Sequence, residues 1–212
     1  MWVSLEPNYK VHSNLTTVYN CGSSEEGGRI NADMVGGFCI MNECNITQNR
    51  VKGDMAGYLI ELTWNDTYVT CVNVIENNQS SGNFNWQSTY AIFKVKSCNY
   101  IRNKSPSDDS YLIYSSGENF MSYCCILKNE IKYIFNVYYG PFTFENSTTD
   151  STNSTKTPVT FKNTNIPFNI TCPILKLFPT KEKEEENNLI KIYIKKPFNL
   201  PCVLPFLYSS YS

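Results

Sequence analysis

Nine cysteines in a chain of 212 residues with a single histidine limit what this sequence can become. They stand at Cys21, Cys39, Cys44, Cys71, Cys98, Cys124, Cys125, Cys172 and Cys202. A structural zinc site needs closely spaced thiolate pairs or histidine partners. Cys39 and Cys44 have four residues between them, no Cys-x-x-Cys is repeated, and His12 is the only imidazole. The irregular spacing therefore favours disulfides that staple loops to strands, about four of them, with a connectivity that sequence cannot supply. The odd count leaves one thiol for a buried site or for a bridge to another chain. Side chains alternate along a strand, so the vicinal pair Cys124-Cys125 is expected to bridge to different partners.

Acceptor triplets for N-glycans point to the same oxidising compartment. Asn-X-Ser/Thr occurs at Asn14, Asn45, Asn65, Asn78, Asn103, Asn146, Asn153 and Asn169. Glycan attachment and disulfide formation share one cause, passage through the secretory pathway, which predicts an extracellular glycoprotein on a surface or released from a cell. Met1 to Pro7 lacks the basic and apolar regions of a leader, so a leader is expected to have been removed or to lie outside this numbering. No apolar run is long enough to span a bilayer. Formal net charge is −1 with dispersed basic residues, unlike the basic stripe of a nucleic-acid binder.

Hydropathy alternates with period two through much of the centre, and helical spacing is weak. Tyr58–Trp64 and Thr67–Val74, separated by Asn65-Asp66, predict a tight hairpin whose tip carries the Asn65 glycan. Further strands are expected at Tyr90–Lys96 and Ser110–Ser115, and a second hairpin from Ser122–Leu127 and Ile131–Tyr138. Ile190, Ile192 and Ile194 alternate with polar residues in one more strand. The expected fold is mainly β: an antiparallel β-sandwich, disulfide-stapled, with long loops and little helix. Residues 1–141 form its body, 142–165 a Ser/Thr/Asn-rich exposed linker or loop, and 166–212 a C-terminal β segment packing back on the body. The charge run Lys181–Glu186 reads as a solvated loop.

Residues for chemistry are sparse. A nucleophilic triad needs a base, and His12 sits between polar neighbours beside the Asn14 acceptor site. Glu61 and Asp109 are carboxylates with no sequence reason to face each other across a cleft. Gly27-Gly28 and Gly36-Gly37 lack the context of a phosphate loop and read as turns. No catalytic residue, metal or cofactor is expected. Among the aromatics, Trp86 lies in the polar stretch Gly82–Gln87 and is the candidate contact residue, since exposed rings bury large area at small entropic cost.

Several of these elements, taken in order, resemble the N-terminal domain of gammacoronavirus spike glycoproteins. They are Tyr9-x-Val11 before the Asn14 triplet, Cys21, Gly27-Gly28-Arg29 with Asn31-Ala32, Phe38-Cys39 leading to Cys44-Asn45, and the strands Phe93–Cys98 and Tyr111–Ser115. That resemblance implies a galectin-like β-sandwich. In size and character the chain also looks like a small subunit of a herpesvirus entry complex of the roseolovirus glycoprotein Q type. Both imply a viral envelope protein that binds a host receptor, protein or glycan, during attachment and entry. Other envelope subunits would be its partners, joined through the odd cysteine. The competing expectation is a secreted decoy that captures a host cytokine or chemokine.

Overall fold

A computed structural model describes residues 2–23, 25 and 32–164. Its strands wind into a parallel β-solenoid of seven successive coils. Each full coil contributes to three faces. Face one is built from the first halves of β1 (Trp2–Asn14), β3 (Ala32–Asn42), β10 (Gly82–Lys96) and β12 (Ser110–Ser122), with β6 (Tyr58–Thr63), β14 (Tyr133–Tyr139) and β17 (Ser154–Lys156). Face two takes the second halves of those long strands, with β7 (Thr67–Thr70), β15 (Phe142–Glu145) and β18 (Val159–Lys162). Face three is a ladder of short strands: β2 (Thr17–Tyr19), β4 (Asn45–Thr47), β8 (Asn73–Ile75), β11 (Asn99–Ile101), β13 (Cys125–Leu127) and β16 (Thr148–Thr149). The small pair β5 (Arg50–Val51) and β9 (Asn78–Gln79) continues as single bridges at Lys104 and Glu130.

The turns on either side of face three repeat with the coil. Leu15, Glu43, Cys71, Ser97, Tyr123 and Asn146 all have positive φ, and each donates its backbone N–H to a carbonyl of the following coil. A second column, Asn20, Gln48, Glu76, Arg102 and Lys128, is also left-handed. Single left-handed residues reverse a chain abruptly, and here inter-coil hydrogen bonds offset their cost.

Inward rows follow the two-residue alternation. Met41, Val69, Val95, Met121 and Phe144 stack in register on face two, as do Ile46, Val74, Tyr100 and Ile126 on face three. They belong to one continuous core, where Phe135 meets the rings of Phe142, Phe144 and Phe161. Burying each such side chain stabilises by about 1.5–3 kcal/mol. Inside this core the Tyr58 and Tyr100 hydroxyls lie 2.8 Å apart, and Gln87 Nε2 donates to Tyr58 Oη at 2.6 Å. Burial pushes both phenols well above their ordinary range.

Four expectations are corrected. The antiparallel β-sandwich is a parallel solenoid: every strand pairing among the described residues is parallel. Alternation tells which side chains are buried but not which strand lies alongside. Neither predicted hairpin forms. β6 and β7 each pair with β3 and β10 instead of with one another, and neither Asn65 nor Asp66 has the positive φ that a two-residue hairpin turn demands.

The disulfide framework is also cut back: Cys21 and Cys125 are disulfide-bonded, but the other described cysteines are not. Cys39, Cys44, Cys71, Cys98 and Cys124 are free thiols, and no disulfide joins two described residues. Cys44, Cys98 and Cys124 fill equivalent inward positions of different coils, where a thiol acts as a small apolar group. Their spacing is the solenoid repeat. Cys124 faces the core while Cys125 lies outside the core cluster, as alternation requires, but Cys124 forms no bridge. Finally, the stretch expected as a linker carries β15, β16, β17 and β18. Its Ser and Thr side chains face outward or cap turns while Phe142, Phe144 and Phe161 fill or abut the core. The predicted isoleucine strand, the charge run and the rest of 166–212 lie outside the described residues.

Candidate binding surface

Asparagines of the repeat are structural before they are anything else. Asn49, Asn77 and Asn103, buried, and Asn129, half-buried, form a ladder at the turn after face three, the Nδ2 of each of the first three donating to the Oδ1 of the next at 3.0–3.1 Å. Each Oδ1 from Asn77 onward also accepts the backbone N–H of the asparagine before it. Asn73 and Asn99 continue a second ladder, donating to Asn45 and Asn73 at 2.7 and 2.8 Å.

This divides the predicted glycan acceptors. Asn14, Asn65, Asn78, Asn146 and Asn153 are exposed, Asn45 and Asn103 are buried, and Asn169 lies outside the described residues. Asn103 Nδ2 uses both hydrogens, toward Val74 O and Asn129 Oδ1. A sugar on that nitrogen is incompatible with the ladder.

Trp86 stands on face one, half-buried, and does not stand alone. Its ring stacks on Tyr114 at 3.9 Å between centroids, and Tyr114 stacks in turn on Tyr138 at 6.3 Å. Lys156 Nζ lies 3.9 Å from the Tyr138 ring centroid, closing the row with a cation. Tyr111 and Tyr133 stack beside it at 5.6 Å. Parallel strands place equivalent residues about 4.8 Å apart, close to the stacking distance of aromatic rings, so neighbouring coils build such rows whenever aromatics recur in register. Burial, then the neighbouring Tyr138 and Glu61, raises the Tyr114 phenol above its ordinary value. The exposed acceptors Asn65 and Asn153 precede or follow this face at its corners, while Asn14 ends β1, Asn78 opens β9 and Asn146 sits in a turn.

The corner between faces one and two is irregular. Between the paired residues Ser88↔Ser116 and Ile92↔Glu118, β10 carries Thr89, Tyr90 and Ala91, whereas β12 carries only Gly117. One coil earlier, Thr63 pairs with Thr89 and Thr67 with Phe93, leaving Trp64, Asn65 and Asp66 on the outside of the bend. One coil later, Gly140 and Pro141 make the bend as tightly as Gly117 and Glu118 do. The corner therefore steps down from two protruding coils to two tight ones. The step leaves a groove of about 460 Å³ with Gly117 and Gly140 in its floor.

Both glycines have positive φ, 104° and 86°. A Cβ on Gly117 would overlap Thr89 O, and one on Gly140 would overlap Gly117 O. Tyr90 and Tyr139 flank the groove, 64% and 72% exposed, and Trp64 stacks behind Tyr90 at 4.5 Å.

The remaining candidates scatter. His12 is exposed on face two, in register with Ile40. Glu61 lies within β6 and Asp109 precedes β12. Gly36-Gly37 make the bend within β3, and Gly27-Gly28 lie outside the described residues. Among the described residues no three His, Cys, Asp or Glu side chains are placed to hold a metal. Of the free thiols only Cys71 is not fully buried.

Sequence reasoning singled out Trp86 as a candidate but neither the row in which it stacks nor the groove. A signal for the coil was present in the recurrence of Asn49, Asn77, Asn103 and Asn129 at intervals of 28, 26 and 26 residues, but Trp86 pairs with Tyr114 28 residues on, an offset that only the strand register supplies. Compared with known protein families, curated proteins and solved structures, the chain matches none.

Proposed function

We propose that this chain is a surface-recognition glycoprotein that binds a cell-surface receptor through face one. The observation that carries this reading is the row Trp86, Tyr114 and Tyr138, capped by Lys156, on a rigid sheet. Rigid, partly exposed aromatics beside a cation are the composition of contact hot spots. The row is supported from beneath by main-chain ladders, so its geometry costs little entropy to hold on binding. The galectin-like sandwich implied by the spike resemblance plays no part in this reading, which rests on the solenoid face alone.

The test is retention of the glycosylated protein on a panel of animal cell lines. Replacing Trp86 and Tyr114 together by Ala should reduce retention at least tenfold, while Tyr19→Ala on face three leaves it unchanged. Glycopeptide mapping of the same material should find Asn65 and Asn153 occupied and Asn103 empty. Equal retention of all variants would overturn the assignment to face one. Absence of glycans at every exposed acceptor would overturn the extracellular reading, and capture of a soluble cytokine with no cell retention would replace the receptor by a decoy's target.

A further inference from the structure

The row on face one has its ring faces largely occupied by one another, so it offers edges to a partner. The corner groove differs. Tyr90 and Tyr139 stand two coils apart with a glycine on the coil between them, and their exposure leaves ring surface open to solvent. The groove's shape belongs to the backbone, because it follows from corner lengths and from glycines that no other residue can replace without overlap. Its volume falls within the roughly 300–1,000 Å³ of small-ligand sites.

Beside the two rings Leu62, Ala91 and Pro141 add apolar surface, Ser88 and Ser116 add hydroxyls, and Glu118 is the one charged side chain. No basic residue lines it. A ligand that suits it has an apolar face to lie on a tyrosine, several hydroxyl donors on its rim, and no negative charge.

We propose that this groove binds a pyranose ring of a neutral or amino-sugar glycan. The C–H face of the sugar packs on Tyr90 or Tyr139, and its hydroxyls donate to Glu118 and exchange hydrogen bonds with Ser88 and Ser116. The inference rests on the recognition function proposed above and names the chemical class of one ligand. Glu118 attracts an amino sugar and repels sialylated or sulfated ones. Trp64 stacks on Tyr90 and reduces the entropy that ring would lose on binding.

The test uses the full chain, trimmed with an endoglycosidase so that its own glycans give no signal. The probes are trimers of N-acetylglucosamine, glucosamine, mannose and glucose, with 3′-sialyllactose as the anionic comparison, read by saturation-transfer NMR. At least one neutral or amino-sugar trimer should bind, and Tyr90→Ala with Tyr139→Ala should weaken it at least tenfold without altering the far-ultraviolet circular dichroism. Tyr19→Ala should leave it unchanged. Glu118→Gln should remove any preference for the glucosamine trimer.

Binding by no trimer, equal binding of sialyllactose, or binding that survives loss of both tyrosines overturns the proposal. Cell retention of the Trp86 and Tyr114 double variant, measured in parallel, separates the two readings. Retention lost there with no saccharide bound removes the glycan inference alone. Saccharide bound through Tyr90 and Tyr139, with retention indifferent to both surfaces, removes the receptor reading.

Discussion

The turns around face three and the corner between faces one and two are built by opposite rules. Around face three four consecutive coils spend the same residues: a left-handed residue, an inward core position, three strand residues, a second left-handed residue and then an asparagine, buried in the first three and half-buried in the fourth. At the other corner the coils differ in length, and the surplus residues are aromatic or polar. Constant length lets hydrogen-bond ladders run uninterrupted. Varying length interrupts them and creates relief on the surface. The first corner holds the coils in register, and the second is where neighbouring coils can present something other than a repeat.

Breaking the regular side should have the largest effect. Asn77 joins two rungs: its Oδ1 accepts from Asn49 backbone and side chain, and its Nδ2 donates to Ile46 O and Asn103 Oδ1. Asn77→Ala is expected to cost about 3–4 kcal/mol, because buried partners are left unsatisfied on both sides. Urea unfolding measures it, and a loss below about 1 kcal/mol would mean the ladder is not what holds the register.

Breaking the irregular side should cost less but alter the surface. Gly117→Ala must adopt φ of 104° and displace Thr89 O, for a loss of about 2–3 kcal/mol. Thermal unfolding checks the stability. Chemical shifts of the Tyr90 and Tyr139 rings should also move, which no change on face three should cause.

Alkali sharpens the comparison from within the core. Burial pushes the Cys39 thiol from its ordinary 9.0 up to about 12 and raises Cys44 and Cys98 in the same direction. A thiol that keeps its proton in the fold after the unfolded chain has lost it binds more protons when folded. Its contribution is therefore full below pH 9.0 and is lost as pH rises toward about 12. Stability should be flat from neutral pH to that onset and fall by about 1 kcal/mol through Cys39 by pH 10, with Cys44 and Cys98 acting in the same direction. Urea midpoints across that range test the sign, and Cys39→Ala should reduce the slope.

The smallest effect belongs to the exposed decoration of the regular turns. Arg102 pairs with Glu76 across adjacent coils, and hydrogen bonds from Gln48 and Arg102 hold that carboxyl below its ordinary value. Arg102→Ala should cost less than about 1 kcal/mol and the difference should vanish in high salt. A larger loss would place the register in the surface pairs instead of the buried asparagines.

By itself the sequence determined that this chain is built of strands and where several of them run, because a two-residue alternation and local polarity are written in neighbouring residues. Val69, Val95 and Phe93 are inward as their spacing demands. Pairing, by contrast, is a relation between residues some 26–28 positions apart. The same alternation satisfies a hairpin or a coil, and only inter-coil hydrogen bonds through the left-handed columns select the coil. The tertiary structure likewise decided the fate of the cysteines and of two glycan acceptors. Cys44, Cys98 and Cys124 occupy core positions as thiols, and the Asn103 amide is consumed by its neighbours above and below. The groove belongs to the same class of information, because it exists only as a difference in length between adjacent coils and no single coil contains it.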